Sequence, residues 1–334
     1  MPIRVAVVGA GSWGTTVAAL ASRNAPTMLW ARRPELAAEV AQDHRNSTYL
    51  AGFDLPEDLA ATSDLAEAVS AADVLVMGVP SHGMRATLRD LAPHVRPWVP
   101  VVSLAKGLEE GTHLRMTEVI TEELPGHPVG VLTGPNLAQE ILSGHAAATV
   151  VAFIDDHIAH ELQKVFAGEL FRVYTNPDVV GCEIAGALKN VMAIASGMAD
   201  GLGTGDNTRA AVITRGLAEL SRLGLAMGGQ LMTFAGLAGM GDLVATCISR
   251  QSRSRYVGEQ LGKGRPIDEI VAEMRMVAEG IKTSRVVVEV AAQYGVEMPI
   301  AEEIYAVIHE GRSAVDAYRG LLRRSNVSEM HGMG

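Results

Sequence analysis

Ile3 to Val8 is a short apolar run that ends in Gly9-Ala10-Gly11-Ser12-Trp13-Gly14, and from Thr15 to Arg23 the composition turns helical. G-x-G-x-x-G between a strand and a helix asks for a tight turn, for backbone lying close to a pyrophosphate, and for a helix packed hard on its strand. The N-terminal N–H groups of that helix then face the anion. The spacing alone is a weak match, and the strand before it and helix after it are the confirming context. Gly9, Gly11 and Gly14 are therefore read as a dinucleotide loop, and the first element of the chain as the start of an α/β domain.

The second strand is expected over Thr27 to Ala31, where an acidic residue would normally hold the ribose 2′-hydroxyl of NAD. Arg32 and Arg33 stand there instead. Two guanidinium groups suit the 2′-phosphate of NADP. The plain alternative is a solvated basic pair before a helix beginning near Pro34, and Glu35 is close enough to leave NAD open. Further apolar runs follow at Ala72 to Val79, Val99 to Ser103 and Val129 to Leu132, each trailed by a helical segment. Alternation of this kind predicts a parallel, doubly wound sheet with ligands outside the carboxyl ends of its strands. Residues after the strands are thus the first candidates: Pro80 and Ser81, Ala105-Lys106-Gly107, and Gly134-Pro135-Asn136. Lys106 can reach both cofactor and an anionic substrate from a strand end, or it is a surface lysine in a polar turn. The sheet is expected to close with Ala147 to Phe153 and Phe171 to Tyr174. Asn176-Pro177-Asp178 then breaks the pattern and caps a helix, which puts the domain boundary between 1–178 and 179–334.

Beyond it lies Val179 to Met198, apolar on almost every side and so expected to be buried. Lys189 and Asn190 interrupt it, and a lysine is almost never fully buried without a partner or a task. At helical spacing Lys189 is flanked by Cys182, Ala185, Gly186 and Ala193, all small. One reading is a strip that floors a small substrate beneath the ammonium; the other is a core helix whose lysine snorkels to water.

Nearly all that follows has helical periodicity. Gly201 to Asn207 is a glycine-rich turn with a polar cap before a helix from Thr208 to Leu223. Gly236-Leu-Ala-Gly239-Met-Gly241-Asp242 has no strand before it, so it reads as close helix packing that places Asp242, either as a cap or as a carboxylate orienting Lys189. Ser249 to Arg255 is basic and hydroxyl-rich, which suits phosphate, with a solvated helix start as the alternative. Glu279 either reaches a cofactor or ends a helix. His157 and His160 have no acidic or cysteine partner to complete a metal set, and the tail from Ser325 onward looks frayed.

A chain of 334 residues with 48% hydrophobic content allows two moderate cores. Its net charge of −10 disfavours binding to nucleic acid or to a membrane surface by the molecule as a whole. Cys182 and Cys247 make no disulfide framework. The chain opens directly on strand-like sequence, without a signal-peptide pattern, and no uninterrupted apolar run suggests a spanning helix. A cytoplasmic protein without stable membrane insertion is expected.

The segments VVGAGSWGTTVA, LAKGLE, LTGPNLAQEI, EIAGALKNVMAIASG, GDNTRAAVITRGLAE, TFAGLAGMGDLVATC, QSRSR and VAEGIKT closely resemble the bacterial-type NAD(P)-dependent glycerol-3-phosphate dehydrogenases, from Ile3 to about Gly311. The resemblance implies an N-terminal Rossmann-type domain and a C-terminal all-helical substrate domain like that of 6-phosphogluconate dehydrogenase. It implies reversible reduction of dihydroxyacetone phosphate to sn-glycerol 3-phosphate with NADP or NAD, feeding glycerophospholipid synthesis. Apart from the resemblance, a homodimer is the assembly to look for. By position it makes Lys189 the proton donor and acceptor. Lys106, Gly134, Asn136, Asp242, Ser252, Arg253 and Ser254 would join Lys189 in binding substrate. Ser12, Trp13, Arg32, Arg33, Lys106, Ala138, Arg253, Val277 and Glu279 would surround the cofactor with the three glycines. The family usually has serine at Asn136, lysine at Gln139 and asparagine at Ser254; each replacement can still hydrogen-bond. A 2-hydroxyacid or ketopantoate reductase of similar build would instead need a clamp for a carboxylate, and a non-catalytic dinucleotide sensor would have no use for Lys189.

Overall fold

The computed structural model describes residues 2–274 and 278–323, so the sequence expectations for Val277 and for the tail from Ser325 lie outside the described residues. The chain forms two compact units. One holds 2–105 and Leu114–Val179; the other holds Lys106–His113 and the described residues from Val180 on. The sequence reading left Lys106–His113 inside the first domain, whereas the structure groups this segment with the helical unit.

The first unit is built on an eight-stranded sheet, β1 (Val5–Val8), β2 (Thr27–Trp30), β3 (Leu59–Thr62), β4 (Val74–Met77), β5 (Val101–Ser103), β6 (Val129–Thr133), β7 (Ala147–Ala152) and β8 (Phe171–Asn176), in the spatial order β3-β2-β1-β4-β5-β6-β7-β8. The direction of winding reverses between β1 and β4, which is where an open sheet of this kind leaves a crevice for a ligand. Alternate residues of β1 serve two cores: Val5 and Val7 pack on one face, Ala6 and Val8 on the other. Helices therefore cover both faces, as the near-continuous valine and leucine content of these strands requires.

Two features differ from the sequence expectation. β3 was not foreseen, being four residues with only Leu59 buried. The sheet is also not parallel throughout, since β7 runs antiparallel to β6 and β8 parallel to β7. The helix between β6 and β7, Ala138–Leu142, has five residues, or about 7.5 Å of rise. It is too short to carry the chain back along a strand of about 17 Å, so β7 makes the return itself.

The second unit is helical and assembled round Val179–Gly201, a helix of 23 residues. Ile184, Leu188, Val191, Met192 and Ile194 are fully buried in its core. By length and mean hydropathy (1.4) this helix is long and apolar enough to cross a membrane, but 94% of its apolar window is buried inside the protein. Asp178 opens it from an Asx turn, its N–H donating to Asn176 Oδ1 at 2.8 Å.

The helix Arg253–Gly262 crosses this core helix at backbone contact. A Cβ on Gly258 would stand 1.9 Å from the Ile194 carbonyl oxygen, and one on Gly197 would stand 2.0 Å from that of Arg255. The crossing fixes where the Ser252–Ser254 end lies relative to the core helix. The expected polar cap before Thr208 is replaced: the helix runs Asp206–Ala226, and its N-cap is Gly205 at φ 85°, a left-handed position that glycine occupies without strain.

Candidate active site

In the sheet unit the glycine loop follows β1. A Cβ on Gly14 would lie 2.0 Å from the Gly9 carbonyl oxygen, and one on Gly9 would meet the Gly78 backbone at 2.8 Å, so both positions are closed to any side chain. Above Gly11 a Cβ would meet nothing within 4 Å. The helix beginning there, Ser12–Ser22, has no side-chain cap and no acid in its first turn. Open space before an uncapped helix N-terminus fits a pyrophosphate.

A residue not singled out from the sequence stabilises the loop. Buried Asn46 donates to the Ala10 carbonyl (3.0 Å) and to Thr15 Oγ1 (2.9 Å), and its own Oδ1 accepts the Tyr49 N–H (3.1 Å). Ser12 Oγ in turn donates to the Tyr49 carbonyl at 3.1 Å. Asn46 sits in a segment of no periodicity, and nothing local in the sequence betrays its reach to Ala10.

Arg32 and Arg33 follow β2 and are both exposed. Arg33 is held in place, with Nη2 donating to Thr48 Oγ1 at 3.1 Å and its guanidinium 5.8 Å from the centre of the Tyr49 ring. It presents a fixed cation where NAD-specific folds place a carboxylate. Trp13 is partly a packing residue, its ring centroid 6.5 Å from that of Phe171, with its indole Nε1 buried and without a hydrogen-bond partner. After β6, Gly134 has φ 142°. Asn136 Nδ2 donates to Thr149 Oγ1 at 2.9 Å, and Asn136 Oδ1 is buried without a partner. Ala138 begins the short helix beyond, and Gln139 is exposed.

In the helical unit Lys189 is 6% exposed and Asp242 1%. The lysine does not snorkel. Its Nζ donates to Asp242 Oδ1 and to Thr246 Oγ1 (2.6 Å), while Lys106 Nζ donates to Asp242 Oδ2 at 2.6 Å. Asp242 is thus a carboxylate between two ammoniums rather than a simple cap. It is delivered by a π-helical turn, Leu237–Gly241, in which Gly239 lies so near Phe234 that a Cβ would come within 2.2 Å of its carbonyl oxygen. Thr246, one turn further on Asp242–Ile248, was missed from the sequence; its helical spacing from Asp242 was the available signal.

Burial pushes the Lys189 ammonium down to about 8. The Asp242 charge opposes that shift, and the neighbouring Lys106 charge adds to it. Burial raises the Glu279 carboxyl, offset in part by the positive charges of Arg253, Lys106 and Lys189.

Lys106, Lys189, Asp242 and Thr246 are therefore joined by direct bonds, with Glu279 and Arg253 in electrostatic range. Ser252 caps the helix Arg253–Gly262, accepting from Arg255 N at 3.2 Å; Ser254 is buried and Arg253 exposed. One expectation fails. Ala185 and Ala193, read as a floor for substrate, are fully buried in the hydrophobic core, so that strip packs protein against protein.

A Rossmann-ordered sheet with an open glycine loop at its switch point, in a chain whose helical unit holds a buried lysine of lowered pKa, defines a nicotinamide-dependent oxidoreductase. Residues 4–159 match the N-terminal part of the NAD-dependent glycerol-3-phosphate dehydrogenases, and residues 178–319 match their C-terminal part. The chain belongs to the NAD-dependent glycerol-3-phosphate dehydrogenase family. It is 58% identical over 331 residues to glycerol-3-phosphate dehydrogenase [NAD(P)+] 2 of Sphingopyxis alaskensis, covering 99% of each chain. It is 56% identical to glycerol-3-phosphate dehydrogenase [NAD(P)+] of Mycobacterium avium, covering 99% of this chain and 97% of the other. The crystal structure of glycerol-3-phosphate dehydrogenase from Coxiella burnetii superposes with a TM-score of 0.92 at 34% identity, over 97% of this chain and 99% of that one.

Proposed function

We propose that this protein reduces dihydroxyacetone phosphate reversibly to sn-glycerol 3-phosphate with NADPH or NADH. The observation that carries the reading is the buried Lys189 amine bonded to Asp242 and Thr246, in a chain matching this dehydrogenase family over both halves.

When bound, the nicotinamide supplies the hydride. Gly9, Gly11 and Gly14 with the helix start at Ser12 would hold the pyrophosphate, and Trp13, Ala138, Glu279 and Val277 belong to the same proposed cofactor set. Arg33, fixed by Thr48 and Tyr49, would take the 2′-phosphate of NADP with Arg32 beside it. Lys189 gives its proton to the carbonyl oxygen that becomes the hydroxyl, and in the oxidation direction takes it back. A donor with a pKa of about 8 is suited to both directions near neutral pH. Asp242 keeps the Lys189 amine aimed and offsets the charge of a second ammonium, Lys106. That second cation would meet the anionic substrate; Gly134, Asn136, Ser252, Arg253 and Ser254 belong to the same proposed substrate set.

In this reading 1–178 binds the dinucleotide and 179–334, with the Lys106 segment, carries the proton chemistry. The product would feed glycerophospholipid synthesis. Net charge of −10 and the internal burial of the apolar helix support a cytoplasmic enzyme that neither binds nucleic acid nor inserts in membranes. A homodimer is the assembly to look for by size-exclusion chromatography. Mixing purified protein with NADPH and dihydroxyacetone phosphate and following cofactor absorbance tests the reading: consumption that requires the phosphorylated ketone is expected, and no consumption with either NADPH or NADH refutes it.

A further inference from the structure

The chain enters the helical unit at Lys106 and leaves it at His113. This strap is held along its length. At its entry Asn190 Nδ2 donates to the Lys106 carbonyl at 3.5 Å and the Lys106 ammonium to Asp242 Oδ2 at 2.6 Å. In its middle Leu108 is buried in the core of the unit. At its exit the hold is by a side chain: Gln293 Nε2 donates to His113 Nδ1 at 2.9 Å, and His113 Nε2 meets Glu289 Oε2 at 2.9 Å. Because Nδ1 accepts, Nε2 carries the hydrogen, and one neutral tautomer makes both bonds. Both partners stand on one helix, Glu279–Tyr294.

The backbone at His113 is left-handed, φ 61°. A histidine in that region persists where its surroundings over-determine it, and here the surroundings are the two side-chain bonds together with the backbone bond of His113 N to the Glu109 carbonyl. The stretch before it is stiff. His113 N donates to the Glu109 carbonyl at 3.0 Å and Thr112 Oγ1 to Glu109 Oε2 at 2.6 Å. A displacement of the exit end is therefore carried back toward Leu108 and Lys106 instead of being absorbed by a slack loop.

We propose that His113 is a positioning residue for Lys106, its tie to Glu289 and Gln293 setting the strap so that the Lys106 ammonium stays on Asp242, ready for the anionic ketone. The proposal rests on the dihydroxyacetone phosphate reading above and adds to it a residue outside the reacting groups. It makes the helix Glu279–Tyr294 a support for the substrate cation as well as for the core.

The test uses His113→Gly and, from the other side of the tie, the double variant Glu289→Ala/Gln293→Ala on an exposed helix face. Glycine relieves the left-handed backbone, so a loss in His113→Gly belongs to the side chain. Each variant should raise KM for dihydroxyacetone phosphate by about fivefold, the worth of one hydrogen bond, a larger factor than any change in KM for NADPH. The alkaline limb of kcat should move upward, because the charges facing Lys189 are Asp242, Lys106 and Glu279 and a loosened Lys106 depresses it less. His113→Gln, which keeps a donor and an acceptor, should recover part of the KM loss. A merely structural role would lower the melting temperature and the active fraction with KM and pH profile unchanged, and that result overturns the proposal. Should His113→Gly fail to fold, the double variant decides alone by the same criteria. Turnover in the wild type with unchanged variants removes the tether and leaves the reading intact. No turnover in the wild type removes both.

Discussion

Lys106 and Lys189 hold opposite oxygens of one buried carboxylate, that of Asp242. Two ammoniums on a single acid leave a net positive charge where a phosphorylated ketone would bring a negative one. The cost of burying both amines is lowered by the shared partner.

Replacing Lys189 by alanine should therefore reduce turnover by about 10²-fold or more, the usual reach of acid–base catalysis. Binding of NADPH, followed by fluorescence titration, should be unchanged. Retained turnover would remove Lys189 from the mechanism.

Asp242→Asn leaves the two ammoniums facing each other without their acid. Loss of about 3 kcal/mol in urea unfolding is expected, the scale for breaking a buried ion pair. In the same variant the Lys189 proton is held less firmly, since the Asp242 charge now raises its pKa. The alkaline limb of the rate profile should move down.

Arg33→Ala should weaken NADPH by about tenfold or more, the scale of a charge-assisted hydrogen bond, and leave NADH nearly unaffected. Equal losses for the two cofactors, measured by titration, would argue against recognition of the 2′-phosphate.

Glu219 predicts a pH dependence of stability that is separate from catalysis. It is 3% exposed and accepts the N–H groups of Ile300 (2.8 Å) and Ala301 (3.3 Å) at the start of the helix Pro299–His309. Burial outweighs these bonds and the Arg222 charge, pushing its carboxyl up to about 7 from 4.5. The folded state then binds the proton more tightly than the unfolded one. This contribution is full below about 4.5 and is lost as pH rises toward 7, by roughly 3 kcal/mol at most. Glu219→Gln should flatten that part of the stability–pH curve in chemical denaturation; an unchanged slope would contradict the assignment.

What could be read from the sequence was local. The glycine loop, the alternation of strands and helices and the apolar helix bearing Lys189 each declare themselves within about twenty residues, through turn chemistry and periodicity. What escaped was long-range or weakly patterned. Leu59–Thr62 is a strand only because β2 lies beside it. The return of β7 follows from the shortness of a helix, and Lys106–His113 joins the helical unit through Leu108 and His113, whose partners are far along the chain. Asn46 acts through atoms brought near by folding, and Thr246, one helical turn from Asp242, shows its bond to Lys189 only in the fold. Lys189 was conspicuous by being out of place, but its partner Asp242 carried two readings until the fold brought them together.

If the Lys189 amine moves the proton, its titration must show in the pH dependence of kcat for dihydroxyacetone phosphate reduction at saturating NADPH. A fall in kcat with unit slope is expected above about 8, where the amine loses its proton. A profile that stays flat well beyond that pH, with cofactor and ketone both saturating, would contradict it.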